Sequence, residues 1–110
     1  MLEKTTRVNL LYDFYGNLLT KKQQLFIELY YENNFSLREI ADEYNISRQA
    51  VFDLINRAVE TLEQFERKLQ LYKKHITHKE KCFEVLSHLE ENEKIDKNKI
   101  KNIIVEILQL

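Results

Sequence analysis

The chain has one glycine and no proline in 110 residues, and this scarcity limits its possible folds more than any other feature. β-Hairpins and β-sandwiches need these residues at their turns, whereas the interior of a helix is weakened by either one. Hydrophobic residues make up 44% of the chain, which is enough for a core and too much for a disordered tail. The sequence therefore predicts an all-α fold.

Composition also narrows the class of protein. A single cysteine cannot form an internal disulfide, which fits the reducing cytoplasm. No apolar run approaches the roughly 18 residues that a membrane span needs, and residues 1–20 lack the pattern of a signal peptide. We therefore expect a cytoplasmic protein with no membrane partner, and neither a secreted mini-protein nor an enzyme with a large cleft.

Capping residues predict where the first two helices begin and end. The first helix should end at Gly16, in the manner of a C-terminal capping glycine. Thr20 and Gln23 have the spacing of a capping box, which opens a second helix that runs to about Glu32. The inner face of the second helix is expected to hold Leu25, Phe26, Leu29 and Tyr30.

The same signals predict two helices in the middle of the chain. Ser36 and Glu39 form a second capping box, which opens a short helix that ends at about Glu43. Ser47 is the N-cap of an uninterrupted helical pattern that runs to about His75. At 1.5 Å per residue, this pattern predicts a rod of roughly 42 Å.

Two further helices are predicted in the C-terminal part. Thr77 and Glu80 have the spacing of a third capping box, which would start a new helix. A polar segment over residues 92–96 ends that helix, and Asp96 caps the last one. The sequence thus predicts six helices and no strand.

The stretch from Ser36 to Ile55 has the pattern of a helix-turn-helix. Two helices that cross steeply need apolar residues at the crossing and a small residue where the backbones approach. Ala41 is that small residue, Asn45 tolerates the left-handed conformation that the turn requires, and Ile46 plugs the turn. The inner faces of the two helices are expected to hold Ile40, Tyr44, Val51, Leu54 and Ile55.

The outer face of the second helix carries residue types that read DNA. In the major groove, Arg pairs with guanine, Gln or Asn pairs with adenine, and an aromatic ring can contact a thymine methyl group. A Ser at the helix N-terminus is well placed for a backbone phosphate. We therefore expect duplex DNA to be bound by Ser36, Ser47, Arg48, Gln49, Phe52, Asn56 and Arg57.

Charge does not support the DNA-binding interpretation. Lys and Arg number 17 and Asp and Glu number 18, which gives a net charge of −1, whereas proteins dominated by phosphate contacts are usually basic. Acidic residues also lie within the motif, at Glu39, Asp42, Glu43 and Asp53. Two ordinary bundle helices with solvated polar faces therefore remain an alternative interpretation.

Several short strings resemble one family of bacterial proteins. Over roughly residues 2–75 the chain is similar to the YlxM-type helix-turn-helix proteins, in the strings LEKTTR, LLTKKQ, LYY, SLREIADEY and ISRQAVFD. Residues 76–110 carry no shared string. The resemblance implies a helix-turn-helix similar to the fourth region of sigma factors, with the recognition helix over 47–57 and leading roles for Ser47, Arg48 and Gln49.

The resemblance also implies a link to the signal recognition particle pathway, which is inferred from the neighbourhood of the genes. This link leaves two functions open. The first is a DNA-binding regulatory protein. The alternative is an interaction protein that binds the protein or RNA component of the particle without binding DNA, and the near-neutral charge is compatible with it.

Apolar residues in the long predicted helix recur at alternating steps of three and four, as in a heptad seam. They are Ile55, Ala58, Leu62, Phe65, Leu69, Tyr72 and Ile76. Either the last two helices of the chain bury this seam or an antiparallel partner does. A parallel pair is disfavoured, because Lys68 and Lys73 would repel each other across it. Since the last helix carries more apolar surface than one neighbour easily covers, we expect a homodimer.

The predicted architecture therefore has two parts. Residues 1–57 are expected to form a helical module that contains the helix-turn-helix, over residues 36–57, and the resemblance implies that this module is like the fourth region of sigma factors. Residues 58–110 continue the long connecting helix and add a C-terminal helical hairpin, which we expect to mediate dimerisation.

His75, His78 and Cys82 are spaced as metal ligands on one helix could be. No fourth ligand is evident, and a helix that starts at Thr77 would separate the two histidines. We therefore favour solvated histidines and a core cysteine, and we predict no metal and no other cofactor. No constellation of catalytic residues is evident either, so we expect that the protein is not an enzyme.

Overall fold

The computed structural model describes residues 2–91 and 94–110, and in these residues it contains helices and no strand. The all-α prediction is confirmed. The helices are α1 (Leu2–Tyr15), α2 (Lys21–Ile27), α3 (Leu37–Tyr44), α4 (Arg48–Leu69), α5 (Leu71–Glu91) and α6 (Lys97–Leu108). None of these helices is both long and apolar enough to cross a membrane.

The chain forms two compact units, one up to Gln70 and the other over residues 71–110. In the first unit, α4 packs against α1, α2 and α3. In the second unit, α5 packs against α6. The boundary between these units follows Gln70, at the end of α4. The division expected from the sequence lies after residue 57, inside α4, because it separates the helix-turn-helix from the residues expected to mediate dimerisation.

Helix α1 ends at the predicted position, for a different reason. It stops at Tyr15, and Gly16 begins a short 3₁₀ turn without adopting a left-handed conformation. Glycine is needed there because a Cβ atom would lie 2.9 Å from Cε2 of Tyr12. The Tyr12 hydroxyl donates a hydrogen bond of 2.6 Å to Glu28, and burial together with this bond raises the pKa of Tyr12.

The predicted caps of α2, α3 and α4 are confirmed. The Thr20 hydroxyl accepts from the Gln23 N–H at 3.1 Å, and the Gln23 side chain accepts from the Thr20 N–H at 3.0 Å. Ser36 and Glu39 form the same reciprocal pair at the start of α3. Each pair satisfies two N–H groups that the first turn of a helix leaves without an intrahelical partner.

The end of the second helix differs from the prediction because it continues as a π turn over Glu28–Glu32. The Asn33 N–H donates to the Glu28 carbonyl, five residues back, at 2.9 Å. Phe26 is buried as expected, but Ile27 and Tyr31 replace Leu25 and Tyr30 among the buried residues.

Helix α4 is shorter than predicted, and the expected run to His75 is wrong. It ends at Leu69, where Gln70 adopts a left-handed conformation with φ of 55° and its N–H donates to the Glu66 carbonyl. This conformation closes a helix in the way a capping glycine does, but a Gln gives no such signal in the sequence. The predicted seam over Ile55–Ile76 is therefore interrupted.

The first half of that seam is core of the first unit. Ile55, Ala58 and Leu62 are buried in the unit that α1, α2 and α3 form with α4, so their burial requires neither of the two alternatives considered from the sequence. Nearby, the Tyr15 hydroxyl donates to the buried carboxylate of Glu66 at 2.6 Å. The buried apolar side chains of this unit are Val8, Leu11, Tyr15, Leu19, Phe26, Ile27, Tyr31, Ile40, Ala41, Val51, Ile55, Ala58 and Leu62.

The second unit differs from its prediction at Thr77. Helix α5 runs through this residue, and the Thr77 hydroxyl donates to the Lys73 carbonyl at 3.0 Å, so the third capping box is wrong. A hydroxyl bond to the preceding turn is compatible with a helix interior, and the local sequence pattern does not distinguish it from a cap. The predicted cap at Asp96 is confirmed, since its side chain accepts from the Lys99 N–H at 3.1 Å.

Candidate nucleic-acid interface

The turn between α3 and α4 has the predicted left-handed residue. Asn45 has φ of 54° and ψ of 45°, and its N–H donates to the Ala41 carbonyl. The Ile46 N–H donates to the same carbonyl at 3.1 Å. Ile40 and Ala41 are buried, and α3 packs against α4. The two helices are thus held together by a short turn, as a helix-turn-helix requires.

Helix α4 buries one side and exposes the other over its first three turns. Val51 and Ile55 face the core, and the side chains on the opposite side are exposed. At 3.6 residues per turn, the centre of the exposed side is formed by Gln49, Asp53 and Asn56, which we call the ridge. All seven residues that the sequence predicted for DNA contact are exposed to solvent.

The N-terminus of α4 favours an anion more than that of α3 does. Ser47 caps α4 by accepting from the Ala50 N–H at 3.0 Å, and no acidic residue lies in the first turn. At the start of α3, hydrogen bonds from the backbone and hydroxyl of Ser36 lower the pKa of Glu39, whose carboxylate occupies that helix end. Helix α4 begins instead with the cation Arg48, which adds to the positive end of the helix dipole.

One flank of the ridge borders a cleft of about 290 Å³, which we call the α3 cleft. It brings together two predicted site residues, Ser36 and Arg48, from different helices. Arg38 lines the same cleft, although the sequence pattern did not single it out as a site residue. Leu37 and Tyr30 complete the lining, so two arginines share the cleft with a leucine and a tyrosine.

The other flank borders a larger cleft of about 410 Å³, the α2 cleft. It places Arg57 of α4 together with Lys22 of α2, which the sequence pattern did not single out either. Asp53 is the acidic residue in the lining. The cleft is lined by Thr20, Lys22, Gln23, Ala50, Asp53, Leu54 and Arg57.

A hydrogen bond on the ridge fixes one of the predicted base-reading side chains. Nε2 of Gln49 donates to Oδ1 of Asp53 at 2.9 Å, one helical turn further along. An amide has two N–H donors and one carbonyl acceptor, so Gln49 retains one donor and its acceptor for a base edge. Asp53 therefore positions the Gln49 amide without using up its capacity to pair with adenine.

The described linings of the two clefts contain one potential metal ligand of the His, Cys, Asp or Glu type, Asp53. Within residues 2–91 and 94–110, no three His, Cys, Asp or Glu side chains are grouped so that they could hold a metal ion. The expected separation of His75 from His78 is wrong, because α5 is continuous between them. The expected core position of Cys82 is also wrong, since this thiol is exposed.

Comparison with known proteins shows one family. Residues 2–104 match the profile of a family described as "UPF0122: Putative helix-turn-helix protein, YlxM / p13 like". A UPF0122 protein of Bacillus velezensis is 55% identical over 97 residues, which are 86% of this chain and 88% of that protein. The UPF0122 protein YlxM of Bacillus subtilis is 54% identical over the same length. A UPF0122 protein of Listeria welshimeri is 44% identical and covers 94% of this chain and 99% of its own.

Proposed function

The chain belongs to the UPF0122 family of YlxM/p13-like helix-turn-helix proteins, and we propose that it is a regulatory protein that binds duplex DNA in the cytoplasm. The family match confirms the resemblance that the short strings indicated. In the proposed complex, α4 lies in the major groove with its ridge towards the bases. Ser36, Ser47, Arg48 and Arg57 surround the ridge, and Phe52 lies beside it.

The observation that carries this proposal is the chemistry of the exposed side of α4. Gln49 and Asn56 are amides of the type that pairs with adenine, and Phe52 exposes 45% of its surface beside them. Phe52 is exposed on the same side of α4 as these two amides, so its ring is available for contact with a thymine methyl group.

We propose further that two copies associate through the second unit. Of the described residues of α5 and α6, only Ile103 is buried, while apolar side chains on both helices are exposed. A hairpin of this length buries too little surface to be stable by itself. A second copy would cover the exposed side chains, namely Phe83, Leu86, Leu89, Ile104, Val105 and Leu108.

Dimerisation would also compensate for the absence of a net positive charge. The net charge of −1 predicts few phosphate contacts for one copy. Two linked copies bind one duplex more tightly than either alone, because the second binding event is intramolecular. The duplex would then contain two half-sites.

The same low charge favours a second candidate function, which is binding to the protein or RNA component of the signal recognition particle. Asp53 belongs to the ridge, and Asp42 and Glu43 are exposed on α3. These carboxylates would repel phosphates while tolerating a protein surface. In this alternative, the helix-turn-helix serves as a scaffold. The two functions differ in ligand, so direct binding measurements separate them.

The decisive experiment is a binding series with the intact protein at low and moderate salt. A mixed-sequence pool of duplex DNA, the particle's RNA and its protein are presented separately, and bound duplexes are enriched to find a preferred sequence. We expect binding to duplex DNA with a preferred sequence. Binding to the particle's RNA or protein, with none to duplex DNA, would establish the second candidate function instead.

A matched pair of variants tests the role of the ridge. Gln49→Ala should reduce the preference for the enriched duplex over the random pool by about 1–3 kcal/mol, because one bidentate pair is removed. Gln64→Ala removes the same chemical group from an exposed position further along α4 and should leave the preference unchanged. Equal effects of the two substitutions would contradict the proposed docking.

Light scattering tests the dimer. The intact protein should have the mass of a dimer at micromolar concentration, and Leu86→Asp should convert it to a monomer with weaker duplex binding, since a charge would enter the apolar interface. Leu18→Asp is the control, because Leu18 is an exposed leucine of the first unit. A monomeric wild-type protein would rule the dimer out.

A further inference from the structure

Two arginines lie on opposite flanks of the ridge. Arg48 opens α4 and Arg57 follows nine residues later, which is about two and a half turns of an α-helix. Residues separated by a half-integral number of turns project to opposite sides of the helix. Consistent with this, Arg48 lines the α3 cleft and Arg57 lines the α2 cleft.

Each of these arginines has a second cation from another helix in its cleft. Arg38 comes from α3 and lines the same cleft as Arg48. Lys22 comes from α2 and lines the same cleft as Arg57. The exposed ridge is therefore bordered on both sides by a pair of cations, although the whole chain has a net charge of −1.

Cations on opposite flanks of α4 suit the two phosphate backbones that border a major groove. The groove is about 12 Å wide, and a helix with its side chains has a diameter of about 10–12 Å. When the ridge faces the bases, the two flanks of the helix consequently face the phosphates of the two opposite strands. Cations on both flanks would contact both backbones at once.

We infer that the α3 cleft binds a phosphate of one DNA strand and the α2 cleft binds a phosphate of the other. This inference rests on the proposed function and deepens it by naming Arg38 and Lys22 as contact residues. It also assigns Arg48 to the phosphate backbone and not to a guanine. Base reading is then left to Gln49, Asn56 and Phe52.

The acidic residues around the clefts are compatible with this assignment. Asp53 lines the α2 cleft, but its Oδ1 accepts a hydrogen bond from Gln49 on the ridge. Glu39 follows Arg38 on α3, and its carboxylate accepts from the Ser36 N–H. Asp53 keeps its negative charge, but Lys22 and Arg57 outnumber it in the α2 cleft, and the described lining of the α3 cleft has two arginines and no carboxylate.

The test is the salt dependence of binding to the mixed-sequence duplex pool. When a substitution removes one cation that neutralises a phosphate, the slope of log affinity against log salt concentration becomes less steep by about 0.9. We expect this change for Arg38→Ala and for Lys22→Ala, with equal loss of affinity for all sequences. Lys68→Ala removes the same charge from an exposed position at the far end of α4 and should leave the slope unchanged.

Arg48→Lys separates the two roles of that residue. A lysine keeps a point charge for a phosphate but cannot form the planar bidentate pair with guanine. We expect the variant to keep both the salt slope and the sequence preference of the wild-type protein. Loss of the preference at an unchanged slope would overturn the assignment of Arg48 to the backbone.

The outcomes separate this inference from the proposed function. A wild-type protein that does not bind duplex DNA at low salt would overturn both. A wild-type protein that binds, with unchanged slopes in Arg38→Ala and Lys22→Ala, would overturn the inference alone. Circular dichroism melting of each variant distinguishes weaker binding by a folded protein from unfolding.

Competition with duplex RNA is a further test. Duplex RNA should compete poorly for the protein, since its major groove is too narrow for a helix, and competition equal to that of duplex DNA would also contradict the inference.

Discussion

The two units of this chain differ in how many apolar side chains they bury. In the first unit, four helices cover one another and bury a set of large side chains completely, among them Tyr15, Phe26 and Leu62. In the second unit, two helices of 21 and 12 residues bury only Ile103 among the residues that the structure describes. Helix content is thus similar in the two units, while the packing that stabilises helices is concentrated in one.

The difference teaches that helical pattern and helical core are separate properties. Helices α5 and α6 have apolar residues at helical spacing, as α4 has, but a pair of helices can cover only one side of each member. Helix α4 is covered by three neighbours. The first unit therefore buries many of its large apolar side chains, whereas the second leaves most of its own exposed.

The largest expected effect tests this difference directly. Leu62→Ala should lower the free energy of unfolding by about 3 kcal/mol, because Leu62 is fully buried and its removal leaves a cavity. Leu86→Ala makes the same chemical change at a half-exposed position of α5 and should cost less than about 1 kcal/mol. Urea unfolding at the lowest workable protein concentration measures both, and equal losses would contradict the comparison.

A smaller effect is expected at the turn inside the first unit. Asn45→Val should lower the melting temperature, because a β-branched residue in the left-handed conformation costs about 1–2 kcal/mol. Asn45→Gly should be tolerated, since glycine adopts this conformation without strain. Because α1 to α4 share one core, the valine variant should shift the whole transition of this unit, as followed by circular dichroism. Identical melting of the two variants would mean that the turn does not constrain the unit.

The smallest expected effect concerns pH. Arg7 donates to both carboxylate oxygens of Glu63, at 2.7 and 2.8 Å, and these bonds lower the pKa of Glu63. Glu63 therefore takes up a proton at a higher pH in the unfolded chain than in the folded chain. The ion pair stabilises the fold at pH values above the ordinary pKa of glutamate, and this stabilisation is lost as the pH falls through the lower pKa of the folded chain. It should be at most about 1 kcal/mol, because the pair is partly exposed to solvent.

Glu63→Gln should therefore make unfolding less sensitive to pH between about pH 5 and pH 3. Glu60→Gln is the matched control, because its ion pair with Arg67 is exposed at both ends. An acid transition of the Glu63 variant as steep as that of the wild-type protein would show that the pair does not link α1 to α4.

Features of the fold that depend on neighbouring residues in the sequence could be predicted. The capping boxes at Thr20 and Ser36 and the left-handed Asn45 were predictable, because each is fixed by side chains within a few residues. The π turn at Glu28–Glu32 and the left-handed Gln70 were not, because common residue types adopt these conformations only where packing favours them.

The candidate site divides in the same way. The exposed side of α4 followed from helical spacing alone, so Gln49 and Asn56 could be named from the sequence. Lys22 and Arg38 could not, because their importance depends on which helices border α4 and on which sides. A search for basic residues near the starts of α2 and α3 would have selected both, but without the packing it would not have separated Lys22 from Lys21.

The π turn before the helix-turn-helix has a consequence for the length of related chains. A helix that contains one bond to the fifth preceding residue holds one residue more than an α-helix along the same path. Deletion of a single residue between Glu28 and Glu32 could therefore be absorbed inside the helix, by conversion of the π turn to an ordinary one. A gap in a sequence alignment at this point would then mark a change of helix geometry, where a gap usually marks a change of loop length.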